Sequence, residues 1–167
     1  MMLSPRLNVV MGVAGCGKST TGAALAEHFD GTFLEGDSFH PKSNIEKMSA
    51  GTPLTDEDRW PWLDIVAGEM ASCEGVVFAG CSALRRAYRD RLIAGAGEAV
   101  RFLHLAGDRD LIWERMKARK HHFMKPAMLD SQFATLEALA RDECFVEVDI
   151  DQSEVTIVRE FVAALRE

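Results

Sequence analysis

Residues 7–19 read Leu7-Asn8-Val9-Val10-Met11-Gly12-Val13-Ala14-Gly15-Cys16-Gly17-Lys18-Ser19. Leu7 to Val13 is a short apolar run broken by glycine, the pattern of a buried strand. Gly12 to Ser19 matches G-x-x-x-x-G-K-[ST], and Lys18 to Phe29 carries Ala23, Ala26 and Phe29 at helical spacing. A strand, a glycine-rich turn and a helix in that order form a cradle for phosphate. Glycines let the backbone turn tightly and aim its N–H groups at phosphate oxygens. The helix N-terminus adds a favourable dipole. The nucleotide-binding set is Gly12, Val13, Ala14, Gly15, Cys16, Gly17, Lys18, Ser19 and Thr20. Lys18 is expected to reach the β- and γ-phosphates, and Ser19 to ligate Mg²⁺.

Outward from this motif, strand alternates with helix. Thr32 to Glu35 reads as a second strand and Lys42 to Ala50 as a short helix stopped at Gly51. Thr55 and Asp58 have capping-box spacing. Trp60 precedes a proline, which disfavours the α region, so the next helix is expected to start at Pro61. Further strands are expected at Val76–Gly80, Arg101–Leu105 and Cys144–Ile150, with Asp108 and Ser153 capping the helices after the last two. The fold class is α/β: a P-loop three-layer sandwich with a five-stranded, mostly parallel sheet, helices on both faces and a lid. Ligands in such sheets bind beyond the carboxyl ends of the strands.

The 167 residues suit one domain, 1–167. No apolar run approaches the ~20 residues that span a bilayer, and the first ten residues lack the pattern of a secretion signal. Four cysteines (Cys16, Cys73, Cys81, Cys144) show no C-x-x-C spacing, as expected of a reduced, cytoplasmic protein. A net charge of −7 argues against nucleic-acid or membrane partners. Against that acidic background, Arg85, Arg86, Arg89 and Arg91 form one basic stretch, and Arg115, Lys117, Arg119, Lys120 and Lys125 another.

The motif alone leaves kinases, ATPases and ATP-driven switch proteins open; the D-x-x-G and N-K-x-D signals of a GTPase are missing. Glu35-Gly36-Asp37 ends the second strand, and alternation places both carboxylates on one side. One is suited to hydrated Mg²⁺, the other to accepting a proton from an attacking hydroxyl.

Residues 35–63 read EGDSFHPKSNIEKMSAGTPLTDEDRWPWL, 81–92 CSALRRAYRDRL and 115–137 RMKARKHHFMKPAMLDSQFATLE. With the phosphate motif, these segments resemble the gluconokinase family from about Asn8 to Asp151. H-P-x-x-N-x-x-K-M and D-R-x-P-W-L separate it from the shikimate and adenylate kinases. The resemblance implies transfer of the γ-phosphate of ATP, with Mg²⁺, to the 6-hydroxyl of D-gluconate by a cytoplasmic homodimer. It implies a substrate-binding segment at about 38–72 and a lid at about 115–136. The catalytic set is Lys18, Asp37, Arg115 and Arg119, with Glu35 beside Ser19 at the metal. Substrate contacts are expected from Asp37, His40, Asn44, Lys47, Arg59, Arg85 and Arg89, the arginines suiting a carboxylate through two-pronged bonding. The loop Asp149–Gln152 resembles the one near adenine. Three positions depart from common family usage: Glu35 for aspartate, Arg85 for lysine, and Cys16 for serine. Another kinase of the same fold, or a switch protein without an acceptor, are the competing readings.

Overall fold

The computed structural model describes residues 2–118 and 126–167. Five strands, β1 (Leu7–Met11), β2 (Thr32–Glu35), β3 (Val77–Gly80), β4 (Val100–Ala106) and β5 (Phe145–Asp149), form one sheet in the order β2-β3-β1-β4-β5. All four pairings are parallel. Helices α1 (Lys18–His28), α2 (Lys42–Ser49), α3 (Asp56–Ser72), α4 (Arg86–Ala96), α5 (Arg109–Lys117), α6 (Pro126–Thr135) and α7 (Glu154–Leu165) complete the chain.

Parallel strands need crossovers, and the crossovers bury both faces of the sheet. One core packs Val10, Phe78, Leu103 and Leu105 against Leu25 and Phe29 of α1 and Ile157 and Phe161 of α7. The other packs Leu7, Val9, Val77 and Phe102 against Leu63, Val66 and Met70 of α3 and Leu92 of α4. Every residue of β1 is therefore buried.

The first strand ends at Met11, two residues short of the expected Val13, because Gly12 takes φ 148° and turns the chain into the phosphate loop. The larger difference is α3. It starts at Asp56, not Pro61, and carries Pro61 inside its second turn. The capping box sets that start: Thr55 Oγ1 accepts from Asp58 N (3.2 Å) while Asp58 Oδ2 accepts from Thr55 N (2.9 Å). An interior proline costs a helix ~3 kcal/mol. Burial of Trp62, Leu63, Val66, Ala67 and Met70 on the same helix offsets it, at ~1.5–3 kcal/mol for each large apolar side chain.

Asp37 does not continue the second strand. Gly36–Phe39 is a single 3₁₀ turn, so alternation is not what places Asp37 near Glu35. The turn lies hard against β3: a Cβ at Gly36 would sit 2.2 Å from the Gly80 carbonyl oxygen, so only glycine fits.

Arg89 is the second correction. It is fully buried, and all five of its N–H groups are engaged. Nε and Nη2 bond Glu143 (2.6 and 3.2 Å), Nη1 bonds the Ala83 and Leu84 carbonyls, and Nη2 also bonds the Glu137 carbonyl. No donor is left for a substrate carboxylate. Ala83 holds φ 47°, a conformation that costs a non-glycine residue ~1–2 kcal/mol. Arg89 clamps that strained turn, which leads directly into Arg85. Removing one partner of a buried ion pair leaves the other charge stranded. Arg89→Ala should therefore lower the unfolding free energy by about 3–5 kcal/mol. In calorimetry that is a Tm loss of roughly 6–20 °C for a chain of this size.

Candidate functional site

The phosphate loop leaves β1 and enters α1 through Gly17, whose φ of 101° suits glycine. Lys18 Nζ donates to the carbonyls of Gly12 and Val13, both at 3.1 Å. Ser19 and Thr20 are exposed on the first turn of α1. Ser19 Oγ makes a short hydrogen bond to Glu35 Oε2. A hydroxyl and a carboxylate are hard oxygen donors, the chemistry Mg²⁺ prefers, and Mg²⁺ keeps most of its shell for waters and phosphate oxygens. The pair fits that ion. Cys16 is buried, 3 % exposed, so its thiol is packed away from solvent rather than presented to reagents.

Two anchors outside the motif reach the nucleotide side. Gln132, on α6, accepts from Ala14 N at 2.7 Å and ties α6 to the phosphate loop. Arg115, on α5, donates from Nη2 to the carbonyls of Ile150 and Gln152, fastening α5 to the loop after β5. Arg119 lies outside the described residues. A cavity of about 460 Å³ opens at the ends of β4 and β5, lined in part by Asp108, Glu147, Asp149 and Asp151. Its carboxylates repel polyphosphate, and the phosphate loop does not line it.

On the opposite side, Asp37 stands exposed at the end of β2. Its turn is pinned by Trp62, whose indole N–H donates to the Gly36 carbonyl at 2.9 Å. The Trp62 ring stacks on His40, with centroids 4.0 Å apart and planes 18° from parallel. His40 Nε2 lies 3.8 Å from Asp37 Oδ1. Burial pushes the His40 pKa down, Asp37 opposes this and Arg59 adds to it; the net direction is down, so the ring is neutral at pH 7.

Arg59 and Arg85 come together on Asp56. Each has a guanidinium nitrogen 3.6 Å from that carboxylate, and the Tyr88 hydroxyl donates to Asp56 Oδ1 at 2.6 Å. Arg59 also lies over the Tyr88 ring, 5.2 Å from its centroid. Both arginines remain partly exposed, 27 % and 46 %. Lys47 bonds Asp58 Oδ2 at 2.7 Å and so reinforces the cap of α3. The Lys47 hydrogen bond, with the Thr55 amide next, holds the Asp58 pKa at about 2.

The structure thus groups Lys18, Ser19 and Glu35 at the phosphate loop, Asp37 with His40 at the turn after β2, and Arg59 with Arg85 on Asp56. Asp56, Trp62 and Gln132 were not expected as site residues. Asp56 had a sequence signal, its i, i+3 spacing to Arg59; Trp62 and Gln132 act through contacts across the fold and had none.

A depressed carboxylate stabilises the fold above its unfolded pKa, and that contribution disappears as pH falls through its folded value. The Tm gap between the wild type and Asp58→Asn should be full above pH ~4 and close as the pH drops to about 2. A pH series of melting curves reads this directly.

The chain is similar to several known proteins. Residues 14–166 match the family model described as shikimate kinase. A thermoresistant gluconokinase of Escherichia coli (strain K12) is 47 % identical over 148 residues, which cover 86 % of this chain and 84 % of the relative. A gluconokinase of Gluconobacter oxydans (strain 621H) is 40 % identical over 166 residues, covering 97 % and 92 %. The crystal structure of a gluconokinase from Sinorhizobium meliloti 1021 superposes with a TM-score of 0.86 at 46 % identity, over 96 % of this chain and 91 % of that one.

Proposed function

The chain belongs to the gluconokinase family, within the wider shikimate kinase-like group, and on that premise we propose that it phosphorylates the 6-hydroxyl of D-gluconate with ATP. The observation that supports this reading is the convergence of Arg59 and Arg85 on Asp56, together with the hydrogen bond that ties Ser19 of the phosphate loop to Glu35, two residues before Asp37. A linear substrate with a carboxylate at one end and a primary hydroxyl at the other offers the first to the arginines and the second to Asp37.

Lys18 and the loop amides hold the phosphate oxygens, Lys18 exchanging its two carbonyl partners for the nucleotide. Ser19 and Glu35 would hold Mg²⁺, which would supply positive charge against the phosphates. Arg59 and Arg85 fix the substrate carboxylate. Asp37 accepts the hydroxyl proton as the oxygen bonds to the γ-phosphorus, and the bond from that phosphorus to ADP breaks. Little basicity is needed because the transition state is loose, so Asp37 acts mainly by orientation. Arg115 or Arg119 stabilises charge on the transferring group. Residues 38–72 bind the substrate; the lid that the resemblance implies, 115–136, lies partly outside the described residues. The resemblance implies a cytoplasmic homodimer; no helix among the described residues is long and apolar enough to cross a membrane.

ADP release with Mg-ATP and D-gluconate, shikimate, AMP or water as sole acceptor tests the reading. Turnover with gluconate alone is expected; turnover with shikimate alone would overturn the substrate and keep the mechanism. Asp37→Asn should lower kcat at least ~100-fold, within the range for positioned proton acceptors, and leave ATP affinity within about twofold. Arg85→Ala and Arg59→Ala should each raise the gluconate KM about 10- to 100-fold, the loss of one charged hydrogen bond, with a smaller change in kcat.

A further inference from the structure

His40 is neutral, and a neutral imidazole donates from one nitrogen and accepts at the other. Which nitrogen does which follows from its neighbours. Asn44 is buried, 2 % exposed, on α2. Its side-chain nitrogen lies 3.0 Å from the Asp58 carbonyl oxygen and 3.2 Å from His40 Nδ1. A carbonyl oxygen can only accept, so the atom of Asn44 facing it is the amide nitrogen. That amide nitrogen has two hydrogens and no acceptor capacity. One hydrogen goes to Asp58, the other to His40 Nδ1, which must therefore be bare. The ring proton sits on Nε2, the atom 3.8 Å from Asp37 Oδ1.

The ring cannot swing out of this arrangement. Trp62 stacks along one face, and the His40 side chain is only 5 % exposed. The 3.8 Å gap to Asp37 is too long for a direct hydrogen bond. One hydroxyl oxygen placed ~2.8 Å from both groups bridges it. That hydroxyl accepts from His40 and has its own proton left for Asp37.

We propose that Asn44 is a positioning residue that holds His40 as the Nε2–H tautomer, making His40 the donor that turns the reacting hydroxyl's proton toward Asp37. In the opposite tautomer Nε2 would accept, compete with Asp37 for the same proton, and present the hydroxyl in the wrong sense. The kinetic role rests on the gluconokinase reading; the tautomer does not.

Ring-nitrogen ¹⁵N NMR of the substrate-free protein at pH 8 tests the first part, with His40→Gln identifying the His40 signals. A single Nε2–H form with unprotonated Nδ1 is expected. A His40 ring protonated on Nδ1 overturns the proposal, whatever the acceptor turns out to be. Kinetics test the second part. Asn44→Ala should lower kcat with gluconate about 10-fold and leave the ATP KM unchanged. In a His40→Gln background, where the side-chain amide supplies an N–H near the Nε2 position and has no tautomer to choose, Asn44→Ala should cost less than twofold. An equal loss in both backgrounds would show that Asn44 only supports the fold, and would overturn the proposal. If His40→Gln alone abolishes turnover, the NMR result decides.

Discussion

The site depends on β1 running through the middle of the sheet with both faces covered. A strand buried on two sides cannot slip or tilt, because any shift exposes apolar surface on one face and overpacks the other. Its carboxyl end is thus a fixed point. The phosphate loop leaves that end and is joined by a backbone hydrogen bond from Gly12 N to the Ser82 carbonyl. β3, paired directly to β1, delivers the turn that bears Arg85. β2, paired to β3, delivers Glu35 and the Asp37 turn. The phosphate loop, Glu35, the Asp37 turn and Arg85 all follow the carboxyl ends of adjacent strands, and their spacing follows from strand pairing.

Much of this was legible in residues 7–19 and in the alternation of apolar strands with helices. The parallel sheet, the caps at Asp108 and Ser153, and the phosphate cradle follow from local rules that act within a few residues. Pro61 shows where local rules compete. Its own preference pointed to a helix start, but Thr55 and Asp58 nucleate the helix five residues earlier, and the buried stripe beyond offsets the proline. Arg89 shows a different limit. As a lone arginine four residues from Arg85 it looked like half of a binding fork. Its partner, Glu143, is 54 residues away, and only the folded chain brings a carboxylate and three carbonyls around it. Trp62 and Gln132 belong to the same class, since their work is done across the fold; Asp56 belongs to it only in part, its spacing to Arg59 being local and its contact with Arg85 not.

The acceptor side is built in two shells of contact. Asp37 is exposed, Arg59 and Arg85 are partly so, and His40 lies nearly buried beside Asp37. Behind them, Trp62 pins the Asp37 turn and stacks on His40, Arg89 clamps the turn before Arg85, and Lys47 locks the cap from which Asp56 and Arg59 emerge. These supports are one aromatic ring, one buried ion pair and one reinforced cap, each fixed by its own hydrogen bonds. The geometry of the Asp37 turn and of the two arginines is thereby fixed by the chain's own contacts.

Asp56 has a consequence for local charge. Two guanidinium groups carry two positive charges, and Asp56 cancels one of them while holding both arginines in place. The three side chains together carry a net charge of +1. Two arginines this close would otherwise repel each other. The carboxylate between them turns that repulsion into a bridge, so the pair stays together with part of each guanidinium open to solvent.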